Sequence, residues 1–264
     1  MAIDNGKGFV LQERDRHLLR EIALLRVIER EQAKLIAGFG STTRANARLL
    51  ALTNAALLKR YFLGTAGAGQ KALYGISRKG AVIVDAPYRG LQRRADEPII
   101  ADLFVLHQLA VNDLYCSLKY VPIPLPGVRF ERWVHFFQPI VPEIRLIPDG
   151  YVEFTSAGRP VAAFLEIDRG VETRKTWTEK TERYLDLALT ETYSRLFGKP
   201  GFEVLVIANS ERRMRSIREA VAPLTSKLFW FSTFEAVRRA GFFGFTWLRP
   251  KGETRVPLFD PPRP

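Results

Sequence analysis

Sulfur is scarce in this chain, with one cysteine, Cys116, and two methionines among 264 residues. A single thiol excludes an internal disulfide framework and any zinc site built from cysteines. Histidine is nearly as rare: His17, His107 and His135 are scattered, and no Ser-His-Asp or Cys-His arrangement for acyl chemistry stands out. No run of 18 uninterrupted apolar residues occurs, so no membrane-spanning helix is expected. The first residues, Met1 to Lys7, lack the apolar core of a signal peptide, and a cytoplasmic protein with no membrane partner is expected. Acidic residues are the minority charge. Against 40 Lys/Arg there are 28 Asp/Glu, giving a net charge of +12 and an isoelectric point near 10.0. That balance points to a polyanionic partner.

What is present suffices for real cores: 47% of residues are hydrophobic, and the length fits one large or two medium domains. The charge is uneven. Residues 1–96 hold 17 Lys/Arg and 8 Asp/Glu, which makes this stretch the expected grip on DNA. Leu18, Leu19, Ile22 and Leu25 repeat at helical spacing over 13–26. A second helix is expected over 29–36, closed by Gly38 and Gly40. Ser41 is an N-cap for a third over 42–54. Residues 57–63 and 71–77 then flank a glycine-rich tip (Gly64, Gly67, Gly69) as a hairpin. The tip lacks a following Gly-Lys-Ser/Thr and is no nucleotide phosphate loop. Three helices and a hairpin with polar residues at the start of the third helix read as a winged helix-turn-helix, with that helix entering the major groove. Thr42, Thr43, Arg44 and Arg48 are expected near double-stranded DNA, and Lys59, Arg60 and Lys71 on its phosphates.

A short helix over 78–84 closes this domain, spanning 1–86. Residues 87–98, with Pro87, Gly90, Arg93, Arg94 and Pro98, read as a linker. A second domain is expected over 99–250. It begins with an amphipathic helix over 99–120, in which His107 and Asn112 read as packing residues. Strands at 202–208 and 227–232 alternate with helices after 176, which fits an α/β sheet. The tail, 251–264, is proline-rich and expected to be loosely held.

Between these elements lies a carboxylate pattern. Pro148 and Gly150 bracket Asp149 at one strand. Ser156-Ala157-Gly158-Arg159-Pro160 is turn chemistry, and Val161 to Leu165 is a short apolar run leading to Glu166 and Asp168. Two residues apart on a strand, Glu166 and Asp168 share a face. Asp149 comes from the neighbouring strand, so three carboxylates are expected to converge. Oxygen ligands of this kind suit Mg2+ or Mn2+, which activate water and stabilise phosphoryl transition states. Carboxylates at the end of an apolar strand otherwise need basic partners, for which Arg169, Arg174, Lys175 and Lys180 are at hand.

Pro148-Asp149-Gly150, Leu165-Glu166-Ile167-Asp168-Arg169-Gly170, then Glu172, Lys180 and Tyr184, resemble the replication-relaxation family of plasmids and other mobile elements. The resemblance implies an N-terminal winged helix, a PD-(D/E)XK restriction-endonuclease-like α/β core and kinship with mobilisation relaxases. One position departs: the nuclease pattern has lysine two residues after Glu166, where this chain has Asp168. A lysine from the next helix, Lys180 or Lys175, would replace it. The implied function is sequence-directed DNA binding with metal-dependent nicking or cleavage. Asp149, Glu166 and Asp168 would then act as metal and catalytic carboxylates, and Lys180 would orient water or phosphate. Relaxases that use a nucleophilic tyrosine carry a three-histidine metal cluster, which the scattered histidines do not supply, so that role is not expected of Tyr184. The alternative is a transcription or replication regulator whose inactive core dimerises or docks a relaxase or replication protein.

Overall fold

A computed structural model describes residues 9–64, 70–91, 98–100 and 102–259. The chain is α/β and forms two compact units, Met1–Val121 and Pro122–Pro264. The expected glycines Gly67 and Gly69 of the hairpin tip, the arginines Arg93 and Arg94 and the last residues of the tail lie outside the described residues.

The first unit opens with helix α1 (Glu13–Leu25), the short strand β1 (Ile28–Glu29), and helices α2 (Arg30–Ala37) and α3 (Thr42–Asn54). Ser41 caps α3 by accepting a hydrogen bond from the Arg44 N–H at 3.2 Å. Strands β2 (Leu58–Gly64) and β3 (Gln70–Ile76) pair antiparallel, and helix α4 (Arg78–Ile83) follows. The second helix was expected to begin at Glu29, but Glu29 pairs in β1 with Leu73 of β3. Strand β4 (Pro98–Ile100) runs parallel to β2 and completes a sheet of order β1-β3-β2-β4.

The helix expected over 99–120 is α5 (Leu103–Tyr120), capped by the Asp102 side chain. It belongs to the first unit, so the division falls after Val121, whereas the sequence pointed to 87–98. Packing explains the difference. Val105 and Leu109 join a core with Val27, Tyr61 and Leu73. The buried Asn112 amide donates to the carbonyls of Leu25 at 3.1 Å and Val27 at 2.6 Å. Gln32 of α2 donates to the Leu109 carbonyl at 3.2 Å. Asn112 thus has the packing role expected of it, since a buried amide must find partners.

The second unit is built on a sheet of order β5-β6-β7-β8-β9. Its strands are β5 (Val128–Val134), β6 (Gly150–Ser156), β7 (Arg159–Asp168), β8 (Glu203–Ala208) and β9 (Phe229–Thr233). The first three pair antiparallel and the last three parallel. Parallel neighbours need crossovers, supplied by α6 (Arg174–Leu189) with α7 (Thr192–Phe197), and by α8 (Glu211–Val221); α9 (Phe234–Ala240) follows β9. α6 ends at Leu189 with Thr190 as its C-cap, and α7 begins at Thr192. One sheet face, with Phe164, Val204, Val206, Phe229 and Phe231, packs against Trp177, Tyr184 and Leu187 of α6 and Met214 and Ile217 of α8. Because strand side chains alternate, Glu166 and Asp168 lie on this same helix-covered face.

Candidate functional site

The site grows from the carboxyl end of β7. Asp149 immediately precedes β6, and its backbone N–H bonds the Leu165 carbonyl at 3.1 Å. Its Oδ2 accepts the Ile167 N–H at 2.7 Å. Gly150 is required next to it, because a Cβ there would lie 2.4 Å from Trp133 Cζ2. The Pro-Asp-Gly step is therefore a seating device for Asp149 against β7.

Glu166 is 2% exposed. Its Oε1 accepts the Tyr184 hydroxyl at 2.6 Å, and its Oε2 accepts Lys180 Nζ at 2.9 Å. Lys180 also donates to Glu172 at 2.8 Å and lies over the Trp177 ring. Lys180 and Tyr184 reach one carboxylate because residues four apart share a helix face. Burial pushes the Glu166 carboxyl up to about 7, opposed by Lys180, while the like charge of Asp149 adds to the rise. Burial works against the Lys180 ammonium, yet Glu166, Glu172 and Asp149 outweigh it and raise its pKa. Lys180 therefore stays charged. Tyr184 is raised as well, chiefly by burial and then by Glu166, so its phenol remains protonated and donates. Lys175, the other lysine considered, is 86% exposed and faces Glu179.

Asp168 has a different surrounding. Arg213 of α8 grips it through two hydrogen bonds of 2.6 Å, from Nε and Nη2. Trp177 Nε1 donates at 3.1 Å and the Gly170 N–H at 2.8 Å. Burial alone would raise this carboxyl, but the Arg213 and Trp177 bonds hold it below its ordinary value. Arg213 also donates to the Glu172 carbonyl at 2.5 Å, which ties the loop carrying Glu172 to α8. Gly170 has φ +91°, a conformation suited to glycine, and a Cβ there would meet the Asn209 side chain at 2.9 Å.

The three expected carboxylates therefore part company. Asp149 and Glu166 stay together, and Asp168 is matched by Arg213, four donors already converging on it. Among the described residues, no group of three His, Cys, Asp or Glu side chains is placed to hold a metal ion. A Mg2+ ion is commonly held by one or two carboxylates with waters and substrate phosphate oxygens. Asp149 and Glu166 are oxygen donors of the kind that smaller set needs, and Glu166 already accepts from Lys180 and Tyr184. Asp168 does not fit it.

In the first unit, α3 turns Thr43, Arg44, Asn46, Ala47 and Leu50 outward. Thr42 is half-buried and accepts from Lys34 at 3.4 Å. Arg48, expected near DNA, turns inward: its guanidinium pairs with the buried Asp15, donates to the Val10 carbonyl at 2.7 Å and covers Phe9. Lys71 pairs with Glu29. Lys59 reaches the Tyr88 hydroxyl at 3.4 Å, and Arg60 lies over Phe62.

The model of the replication-relaxation family matches residues 19–199. The chain belongs to this family. The matched stretch contains Asp149, Glu166, Asp168 and Lys180 and ends before α8, which supplies Arg213. No curated protein and no solved structure matches the chain. Among the described residues no helix is long and apolar enough to cross a membrane. Arg213 was missed as a site residue because a basic helix gives no sign of which acid it will meet 45 positions away.

Proposed function

We propose that this member of the replication-relaxation family is a DNA-binding protein of a mobile element whose second unit nicks or cleaves DNA with a divalent cation. The observation that carries the reading is the meeting of Asp149, Glu166 and Lys180 at the end of β7. Asp149 and Glu166 would hold Mg2+ or Mn2+, which supplies an activated water and charge stabilisation at the phosphate. Lys180 stands where it compensates for the absent strand lysine. As a permanent ammonium it orients a phosphate oxygen or a water and accepts no proton. Tyr184 fixes one oxygen of Glu166 through its hydroxyl, and Asp168 with Arg213 braces the loop that follows. The first unit supports duplex binding, with three helices, a hairpin and an outward face on α3 that carries Thr43, Arg44 and Asn46, acting as a winged helix.

A second reading has its own support. Both oxygens of Glu166 already accept hydrogen bonds within the protein, and no three-ligand group is present among the described residues. In that reading the core is an inactive ion-paired scaffold serving dimerisation or the docking of a relaxase or replication protein. Calorimetric titration of Mg2+ and Mn2+ separates the two. The nicking reading expects binding that Glu166→Gln and Asp149→Asn abolish and Asp168→Asn leaves in place. It also expects relaxation of supercoiled plasmid DNA that Asp149→Ala abolishes while duplex binding persists. Absence of metal binding and of nicking, in the presence of DNA, would establish the scaffold.

A further inference from the structure

The outward face of α3 carries an assignment more specific than DNA binding, and it rests on the winged-helix reading above. Five of the seven residues expected at DNA have other partners: Lys59 reaches the Tyr88 hydroxyl and Arg60 lies over Phe62. Arg48 is bound to Asp15, Lys71 to Glu29, and Thr42 accepts from Lys34. What α3 leaves in solvent is a central row, Thr43, Ala47 and Leu50, flanked by Asn46 on one side and Arg44 on the other. This spacing follows from the helical repeat, since positions three and four apart align.

Two of these side chains stand out by what they do not do. Among the described residues the Arg44 guanidinium makes no ion pair or hydrogen bond, while other basic side chains of the unit bind acids, carbonyls or rings. The Asn46 amide likewise makes no hydrogen bond there. Asn46 also lines a cavity of about 420 Å³ whose wall includes Arg30, Lys71 and Tyr74. Glu31 and Glu29 line the same cavity and pair with Arg30 and Lys71.

We infer that Asn46 is the base-reading residue of α3, that it recognises adenine in the major groove, and that Arg44 anchors a backbone phosphate on the opposite side of the helix. The chemistry is direct. An asparagine amide offers one donor and one acceptor in a plane, matching adenine N7 and N6. The exposed Ala47 methyl and Leu50 side chain, with the Thr43 methyl, present apolar surface to thymine methyl groups. The apolar row and the amide together select an A·T-containing half-site. Arg44 has a long, permanently charged side chain at the start of the helix, where phosphates pass.

The test is selection of bound sequences from a randomised duplex library with the full-length protein, followed by anisotropy titrations at several salt concentrations. Wild type is expected to enrich an A·T pair at a fixed position. Asn46→Ala is expected to lose that preference, bind the selected duplex about tenfold more weakly and keep the salt slope. Arg44→Ala is expected to weaken binding to all duplexes alike and reduce the salt slope by about 1. Both positions are exposed, and alanine is a good helix former, so circular dichroism should match wild type. Retention of the same A·T preference by Asn46→Ala would overturn the assignment while leaving DNA binding intact. Absence of duplex binding by wild type would overturn the winged-helix reading itself.

Discussion

Glu166 and Asp168 are separated by one residue on the same strand, point to the same sheet face and are equally buried, yet their surroundings have opposite character. Asp168 meets an arginine from α8 in a two-pronged pair, an indole and a backbone N–H, and its carboxyl is held low. Glu166 meets a lysine that it shares with Glu172, lies near a second carboxylate, and its carboxyl is pushed up to about 7. One acid is met by a two-pronged arginine, and the other shares its lysine with Glu172. The first arrangement is that of an architectural ion pair; the second is the one on which the proposed cation site rests.

The comparison can be broken most severely at Arg213. Its replacement by alanine leaves Asp168 buried without its ionic partner, and about 3–5 kcal/mol of stability should be lost. Urea unfolding followed by tryptophan fluorescence measures this directly, because all four tryptophans, Trp133, Trp177, Trp230 and Trp247, lie in the second unit. A loss below about 1 kcal/mol would mean that the pair is not the brace described here.

The pH dependence sharpens the contrast, since the two acids contribute with opposite sign. The Glu166 carboxyl is raised from 4.5 to about 7 in the fold, so between these values the native state holds a proton that the unfolded state has released. Stability should fall as pH rises through that window, by a few kcal/mol in metal-free buffer, and Glu166→Gln should flatten the fall. Asp168 is lowered, so its contribution is present above its ordinary value near 3.8 and lost as pH drops below it. Urea unfolding between pH 3 and pH 8 separates the two limbs; a rise across the upper window in wild type would contradict the assignment for Glu166.

Tyr184→Phe should have a smaller effect, about 1.5–3 kcal/mol, by removing a hydrogen bond to a charged, buried acceptor. It should also move the upper limb to higher pH, because the lost donor favoured the carboxylate. The weakest expected effect is at the rim. Arg174 and Glu219 form a 3.1 Å pair with both side chains more than half exposed, and Arg174→Ala should change stability by about 0–1 kcal/mol.

Much of the molecule was legible before any coordinates. The span of α3 and its Ser41 cap followed from local rules, because an N-cap and a helical repeat involve neighbours in the chain. Strand alternation put Glu166 and Asp168 on one face, and the four-residue spacing of Lys180 and Tyr184 put both on one face of their helix. The inward turn of Arg48 has a readable sign in the sequence. It stands three residues after Ala45 and four before Leu52, both buried on α3, so it borders the core side of the helix. The grouping of α5 with the first unit had no such sign, since it depends on Asn112 finding carbonyls more than eighty residues earlier.

The sequence by itself determined what is periodic and local: the helices, the strand ends, their caps and the excess of positive charge. Only the tertiary structure decided which cation each acid received. The choice among forty basic side chains depends on where crossovers return the chain. Lys180 reaches Glu166 because α6 packs back over β7. Arg213 reaches Asp168 because α8 follows β8, the parallel neighbour. Pairing energies act over a few ångströms, whereas the partners are far apart along the chain, so closure of the sheet and its helices had to come first.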